Sequence, residues 1–552
     1  MKKYMGRTQA PQWLALPIVA LLAACGGGSG DSPGNTNTQT QSLKVSGTVA
    51  TGAALSGASI SVVCASGSDT TKSASDGTYS LSLANGSLPC VITATSADGA
   101  SVLHSIVPGS GSGSATSNVT PLSELLVAQL AASDPAAFVA AFNSGTTISS
   151  DAVASAETAV LAMLHAAGVD VSAVSSILGG SLQAGSGKGY DGVLDALQTT
   201  ITSAGTSLSE LTSAVATSSG TGDATGGATV STVLAPASSD CAAFKSGVHR
   251  IVNFAASTSS LVTIDTQALT ATVDGVHYAM TRNASCDYTV ADGDNTRVLV
   301  AKSGMAVWVT GGTSGGVGIS VPEQKLDLAS LAGVYNRVSY SGASSDTGDF
   351  GSVTINAAGV NTTSTNCPSG YGSCAVDPKQ PLGHLVADAD GGFDYIDDGQ
   401  GGSVASRVFA FRNAAGKTAM LVLQADGTMT VLGSQLALPL PSVGNTSAYW
   451  QFSLSSTGPG SVTEDANVVT AVDSGAGAVT RQFTSDSHFD VVTFNTPFGG
   501  TRYRAVNACT TSAGAASTCN GAVQLPLQGS GIVLSVSAVA SKHTMTISIN
   551  KP

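Results

Sequence analysis

Five aspartates form the densest acidic cluster of the sequence. Their carboxylates fall within 11 residues and stand beside several glycines; they are Asp388, Asp390, Asp394, Asp397 and Asp398. Oxygen-rich loops of this kind can hold calcium, which takes about six to eight oxygen ligands. The EF-hand pattern fails, however, because Gly392 and Gly399 stand at its fifth and twelfth positions, where ligands belong. We therefore interpret the cluster as a pair of solvated β-turns and keep calcium as the weaker alternative, with the metal unknown.

One pentapeptide matches the pattern that presents a serine nucleophile. Residues 312–316 read G-T-S-G-G, which fits G-x-S-x-G and centres on Ser314. That pattern needs a strand before it and a helix after it, whereas Ala306–Thr310 and Val317–Val321 are both typical of strands. We interpret the segment as a glycine-rich hairpin loop, and a serine hydrolase built on Ser314 is disfavoured.

Two other chemical patterns fail as well. Residues 415–418 read A-G-K-T and end like a phosphate-binding loop, but Phe411 occupies the position of its first glycine. The seven histidines are scattered, without an HExxH motif or a pair at i, i+4 spacing; they are His104, His165, His249, His277, His384, His488 and His543. The sequence therefore predicts no catalytic residue and no cofactor, and leaves open a site built from residues distant in the sequence.

The N-terminal segment has the pattern of a processed export signal. Lys2, Lys3 and Arg7 precede an uncharged run of 12 residues, Trp13–Ala24, which is too short to span a bilayer. The run ends in L-A-A-C at Cys25 and resembles the lipobox signal of Gram-negative bacterial lipoproteins, with an ordinary secretory signal as the alternative. The resemblance implies a signal peptide at 1–24, acylation of Cys25 (palmitate among its acyl chains), and anchoring to the membrane through that lipid.

Eight cysteines remain once Cys25 carries lipid. An even number of cysteines in an exported chain indicates disulfide bonds, and the gaps are too long for CxxC-type zinc sites. Eight cysteines allow 105 connectivities. The short spacings favour four nearest-neighbour pairs, namely Cys64 with Cys90, Cys241 with Cys286, Cys367 with Cys374, and Cys509 with Cys519.

The first part of the mature chain reads as a tether followed by a small β domain. Residues 25–42 contain almost no apolar side chain, which is typical of a flexible tether. Residues 43–115 alternate in short β-like runs separated by Asp-Gly turns. Through S-G-T-V at 46–49, A-L-S-G-A at 54–58 and S-D-G-T-Y at 75–79, this segment resembles a carboxypeptidase regulatory-like (transthyretin-like) domain. The resemblance implies a noncatalytic β-sandwich.

Residues 118–218 change to helical periodicity. Thr120 before Pro121 and Asp134 before Pro135 mark two helix starts, Ser150 or Asp151 marks a third, and the capping box of Ser207 to Glu210 a fourth. These signals predict a helical bundle. The Gly- and Ser-rich segment 219–239 is predicted to be a linker.

Residues 240–552 are predicted to be β-rich to the end of the chain. Trp450, Phe452 and Leu454 alternate with polar residues, as expected for a strand with one dry and one wet face. The many short strands indicate antiparallel sandwiches, a barrel or a propeller, either as one region or as two subdomains divided near 325–335. Residues 333–335, G-V-Y, are similar to the first strand of a lipocalin-type barrel, but so short a motif is best interpreted as an ordinary strand start.

Charge and composition exclude some functions. Only 10% of the residues are charged, and 35 acidic against 22 basic residues give a net charge of −13. Removal of residues 1–24, with three basic and no acidic residues, leaves −16. Such a chain lacks the positive charge that drives nucleic-acid binding, and anionic lipid headgroups repel it, so a lipid has to supply the anchor.

The predicted function is that of a lipid-anchored outer-membrane or cell-surface protein, periplasmic or surface-facing, with a noncatalytic binding or structural role. Its partner is an unknown protein, glycan or small molecule, and nucleic acid is excluded. One alternative is an exported hydrolase with a loop-borne site in the C-terminal β region, and a second is a barrel that carries a small apolar ligand. Burial of both Trp308 and Trp450 would weaken the glycan version.

Overall fold

The computed structural model describes residues 42–220, 227–311, 316–341, 349–367, 373–378, 382–400, 402–413, 416–455, 458–537 and 544–552, all within one unit, Gln41–Pro552. Residues 1–41 with Cys25, Ser314, Ala415 and His543 lie outside the described residues. The described chain is β-rich and multidomain, as predicted. It contains a small sandwich, a helical region, and three closed eight-stranded barrels.

The N-terminal β domain is a sandwich of a three-stranded sheet (order β4-β1-β7) and a four-stranded sheet (order β3-β2-β5-β6). Its strands are β1 (Ser42–Thr48), β2 (Ser59–Ser66), β3 (Ser68–Lys72), β4 (Thr78–Ala84), β5 (Ser87–Thr95), β6 (Val102–Gly111) and β7 (Ser114–Thr116). The disulfide of Cys64 and Cys90 joins β2 to β5. Gly47 is required for space, because a Cβ there would lie 2.0 Å from the carbonyl oxygen of Ser117.

The helical region follows the sandwich. Its helices are α1 (Pro121–Ala131), α2 (Pro135–Ala141), α3 (Ser150–Ala166), α4 (Gly189–Ser203), α5 (Leu208–Gly220) and α6 (Gly227–Leu234). Thr120 and Asp134 accept hydrogen bonds from the backbone N–H groups of Ser123 and Ala137, so the predicted starts of α1 and α2 are confirmed. The predicted linker 219–239 is wrong as a description of 227–234, because α6 buries Val230 and Leu234 in the helical core.

The first barrel is a closed antiparallel meander of β10 to β17. The short pair β8 (Ala237–Ser238) and β9 (Cys241–Lys245) precedes it. The strands of the first barrel are β10 (Gly247–Asn253), β11 (Thr258–Asp265), β12 (Thr270–Val273), β13 (Val276–Ala284), β14 (Asp287–Val290), β15 (Arg297–Val300), β16 (Ala306–Val309) and β17 (Val317–Pro322). Asp274 and Gly275, both at positive φ, form a two-residue turn from β12 to β13.

The second barrel closes where β19 pairs with β20. Its elements are β18 (Gly333–Tyr340), β19 (Asp349–Ile355), β20 (Val360–Asn366), β21 (Ala375–Val376), β22 (Gly383–Ala387), β23 (Phe393–Asp397), β24 (Ser403–Arg412), β25 (Thr418–Gln424) and β26 (Met429–Ser434), with β21 outside the ring. Gly333 thus begins the first strand of a barrel. Residues 323–332 connect the last strand of the first barrel to the first strand of the second barrel. This connection overlaps the predicted division near 325–335.

The third barrel closes where β27 pairs with β36. Its elements are β27 (Thr446–Ser455), β28 (Gly458–Pro459), β29 (Thr463–Asp473), β30 (Ala478–Phe483), β31 (Phe489–Phe494), β32 (Arg502–Arg504), β33 (Cys509–Thr510), β34 (Ala522–Leu527), β35 (Ile532–Ser537) and β36 (Met545–Asn550). β28 and β33 lie outside the ring. The boundary before this barrel, at 435–445, was not predicted.

One hydrophobic cluster joins the three barrels. It contains Val252 and Ile319 of the first barrel, Leu421 of the second, and Trp450 and Ile547 of the third. On β27 the buried Trp450 and Phe452 alternate with Tyr449 and Gln451, which line the interior of the third barrel. The predicted dry face of this strand is therefore its outer face, and the predicted wet face points into the barrel.

The eight cysteines form the four disulfides favoured by their spacing, Cys64–Cys90, Cys241–Cys286, Cys367–Cys374 and Cys509–Cys519. In the described part of the chain, no single helix is long and apolar enough to cross a membrane. The bent pair α1 and α2 passes that test by length and composition alone.

Candidate binding sites in the barrels

The five clustered aspartates lie on β23 and in the turns at its two ends, where they make contacts within the second barrel. Arg407 Nη2 lies 2.7 Å from Asp388, and Arg407 Nε lies 3.6 Å from Asp394. Asp398 pairs with His384 at 3.0 Å, while a backbone N–H of the turn binds the carboxylate of Asp397. Asp390 contributes its carbonyl oxygen, which accepts a hydrogen bond from Arg250. Among the described residues, no three His, Cys, Asp or Glu side chains form a group that could hold a metal ion.

The described residues of the two failed motifs, A-G-K-T at 415–418 and G-T-S-G-G at 312–316, have structural roles. Lys417 and Thr418 end a turn and begin β25, and the backbone N–H of Asn413 donates to the carbonyl of Lys417 across that turn. Residues 312–315 lie outside the described residues, but β16 and β17 on either side pair as a hairpin.

Both tryptophans of the described residues are buried. Trp308 donates from Nε1 to Ser320 at 2.8 Å, and Trp450 donates to Glu464 at 3.1 Å. Neither offers an exposed platform for a sugar ring, which weakens the glycan version of the function.

The histidines in the described part of the chain lie away from the cavities considered below. His104 is buried between the sandwich and α1, where its Nδ1 lies 3.0 Å from Glu124. Glu124 also accepts a hydrogen bond from the backbone N–H of His104 at 2.6 Å, and the Ser123 hydroxyl donates to the carbonyl oxygen of His104. This pair fastens the sandwich to the first helix.

The second barrel has a small lumen with an apolar wall. A cavity of about 260 Å³ lies between apolar side chains, among them Ile355, Leu385 and Met420. Arg337 also lines it and forms an ion pair with Asp349 at 2.6 Å. The volume is slightly below the roughly 300 Å³ at which ligand sites usually begin.

The third barrel has a larger and more polar lumen. A cavity of about 620 Å³ is lined by residues from all eight strands of the ring, which identifies it as the barrel interior. Five strands contribute polar lining groups, among them Tyr449, Gln451, Asn467, Gln524, Ser535, Thr546, Ser548 and Asn550. An apolar patch that includes Val469, Val479 and Phe494 completes part of the wall.

An ion-pair network crosses one side of this lumen. Asp490, on β31, is fully buried and accepts two hydrogen bonds from Arg481 of the adjacent strand, at 3.0 and 2.7 Å. Arg504 donates to the same carboxylate at 3.2 Å. Two guanidinium groups thus share one carboxylate. Arg481 binds it in the bidentate geometry that makes charge-assisted hydrogen bonds strong, and Arg504 adds a single bond.

Arg502 lines the same lumen without a carboxylate of its own. Its Nε is buried and has no hydrogen-bond partner, and its guanidinium carbon lies 5.7 Å from the centre of the Phe494 ring. Gln524, directly opposite in the pairing of β32 and β34, also has a buried Oε1 without a partner. Burial, reinforced by the nearby charge of Arg481, lowers the pKa of Arg502 to about 9.

The sequence analysis did not single out these residues. Arg502 and Arg504 are separated by one residue, so on a strand they share a face, and this is the signal that sequence reasoning could have used. Whether that face points inward depends on barrel closure, which the sequence pattern does not reveal.

No family model matches the chain, and no curated protein matches its sequence. Solved structures of transferrin binding protein B are similar to part of it. The isotype 1 protein from serogroup B Neisseria meningitidis is 8% identical and covers 53% of this chain and 62% of that chain, with a TM-score of 0.18. Two mutant forms of the Haemophilus parasuis Hp5 protein are 6% and 7% identical, with TM-scores of 0.15 and 0.17. This chain spans less than two thirds of the length of each, and TM-scores this low carry no argument about its function.

Proposed function

We propose that this chain is a lipid-anchored protein of the outer membrane that binds a small polar molecule in the lumen of its third barrel without catalysing a reaction. The observation that carries this proposal is the cavity of about 620 Å³. Its volume lies within the roughly 300–1,000 Å³ of small-molecule sites, and eight-stranded barrels are wide enough to hold one small ligand.

The lining supports binding over a purely structural lumen. Buried polar groups in folded proteins are almost always hydrogen-bonded, because an unpaired one costs free energy. The lumen nevertheless contains unpaired atoms on Arg502 and Gln524. A ligand with complementary groups would satisfy both.

The anchoring part of the proposal rests on residues 1–42. Cleavage after residue 24 and acylation of Cys25 would place the barrels at the end of a 17-residue tether, Gly26–Ser42, and the transthyretin-like sandwich. We assign the sandwich a spacer role, because its core is filled and the resemblance implies no chemistry. The proposed divisions are 43–115 for the sandwich, 118–234 for the helices, so that α6 is included, and 240–552 for the barrels.

The two alternative functions, a hydrolase and a carrier of a small apolar ligand, differ in how well the cavities support them. A hydrolase predicts a cleft in which a histidine stands beside a serine or a carboxylate, but no histidine of the described chain lines any of the cavities above. A carrier of a small apolar ligand is favoured by one observation, the apolar wall of the second barrel. We keep it as the second candidate.

Native mass spectrometry of protein purified from its source cells tests the binding proposal. We expect a noncovalent small molecule that leaves when the protein is unfolded. Ser548→Trp should reduce its occupancy severalfold by filling the lumen, whereas Ser474→Trp, in an exposed turn, should retain it. Equal occupancy in the two variants, or no bound molecule in the wild type, would contradict the proposal.

A further inference from the structure

The lumen of the third barrel has an excess of positive charge. Its cationic lining groups are Lys302, Arg481, Arg502 and Arg504, and no carboxylate is among the described residues that line it. The buried Asp490 behind the wall neutralises one of these charges. We infer that the molecule held in this lumen is an anion that carries a carboxylate or phosphate group, and that Arg502 binds that group. This inference rests on the proposed function and names its ligand class.

The other acidic group near the lumen does not supply the missing counter-charge. Asp465 lies 3.5 Å from the hydroxyl of Tyr449, which lines the cavity. Its carboxylate accepts hydrogen bonds from the backbone N–H and the hydroxyl of Ser485, and from Thr484. In the described part of the chain, no ion pair joins Asp465 to Arg502.

The geometry around Arg502 fits an anion. Arginine presents a planar fork of N–H donors that matches the two oxygens of a carboxylate or phosphate. Within the described residues, the Arg502 side chain donates no hydrogen bond to the protein, and its one contact of note is with the Phe494 ring. The Nε of Arg502 is therefore buried beside a cavity and without an acceptor, although the residue as a whole is partly exposed, and an anion in the lumen would supply that acceptor.

Gln524 narrows the ligand class further. It lies opposite Arg502 in the strand register, and its Oε1 accepts no hydrogen bond in the described structure. An amide oxygen accepts hydrogen bonds only from donors. A hydroxyl or amine close to the anionic group would satisfy it, as in a hydroxy acid, an amino acid or a sugar phosphate.

Two fluorescent probes that differ in charge test the inference. The full chain is titrated with 8-anilinonaphthalene-1-sulfonate, which is anionic, and with N-phenyl-1-naphthylamine, which is uncharged. We expect the anionic probe to bind wild-type protein, and phosphate or citrate to displace it at an ionic strength held constant with sodium chloride. Arg502→Gln should weaken binding of the anionic probe by roughly tenfold or more, since charged hydrogen bonds are among the strongest.

Arg282→Gln is the matched control. It removes the same charge from an exposed side chain of the first barrel that pairs with Asp240, so anion binding should not change. Thermal denaturation separates a binding role from a structural one. In anion-free buffer the Tm of Arg502→Gln should equal or exceed that of the wild type, and citrate or phosphate should raise only the wild-type Tm.

The results distinguish this inference from the proposed function. Equal weakening by Arg502→Gln and Arg282→Gln, failure of both anions to displace the probe, or a lower Tm for Arg502→Gln would overturn the inference. A neutral molecule found by native mass spectrometry would also overturn it, while the proposed binding function would stand. A wild-type protein with no bound molecule would contradict the proposed function itself.

Discussion

At the scale of single residues, two arginines of one barrel differ in what their surroundings supply. Arg481 has two hydrogen bonds to a fully buried carboxylate, so its charge is compensated within the protein. Arg502 lines the same cavity with a buried Nε that has no partner. Compensated charge is characteristic of structural ion pairs, and buried uncompensated charge is characteristic of functional sites. This contrast is the reason for assigning the ligand to Arg502.

A buried histidine provides a prediction on stability. His249 is 1% exposed, and its Nε2 lies 3.1 Å from the carbonyl oxygen of Lys245. Burial lowers the pKa of His249 to about 4, well below the 6.5 of an unfolded chain. Between these values the unfolded state binds more protons, so stability falls as the pH decreases from about 6.5 to 4. The difference between the pKa of His249 in the unfolded chain and in the folded protein corresponds to roughly 3 kcal/mol of unfolding free energy.

The measurement compares Tm values between pH 7 and pH 4.5 for the wild type and His249→Gln, whose side chain does not titrate. The wild-type Tm should fall more steeply than that of the variant. His165→Gln, at an exposed position of α3, should follow the wild type. Parallel curves for the wild type and His249→Gln would show that His249 does not titrate as described.

At the scale of elements, the sequence predicts what local chemistry determines. Thr120 and Asp134 mark helix starts because their side chains bond to backbone N–H groups within the first turn. α4 escaped prediction because Lys188, at its N-cap, makes no side-chain capping bond. α6 begins in a Gly-rich stretch that is typical of linkers. Helices without local start signals form because their apolar side chains find partners far away in the chain.

For the strands too, the sequence predicts only what local residue patterns determine. The alternation of Trp450 with Gln451 predicts a strand with two unlike faces, and the structure confirms it. Closure of the third barrel depends on the pairing of β27 with β36, which are about a hundred residues apart. The candidate site was not predictable for this reason, because only closure turns the polar faces of these strands into the wall of a cavity.

At the scale of the whole molecule, the predicted anchor and the proposed ligand site belong to different parts of the sequence. One hydrophobic cluster joins the three barrels, and the polar lumen of the third barrel is the largest cavity described here. The segment whose pattern predicts a lipid anchor, residues 1–25, lies at the other end of the sequence from this barrel.

Cys25→Ala tests the anchor. The variant should not incorporate palmitate and should leave the membrane fraction, because anionic lipid headgroups repel an acidic chain that lacks a lipid. Cell fractionation followed by immunoblotting measures this, with Cys64→Ala as a cysteine variant that keeps the lipid site. Unchanged membrane retention of Cys25→Ala would refute lipid anchoring.

The most direct test of the central claim is a high-resolution experimental structure of the protein purified under native conditions from its source cells. We predict density for a small molecule inside the third barrel, with an anionic group within hydrogen-bonding distance of the Arg502 guanidinium and a donor near Gln524. A lumen that holds only water, with Arg502 turned to share the carboxylate of Asp490, would contradict the account.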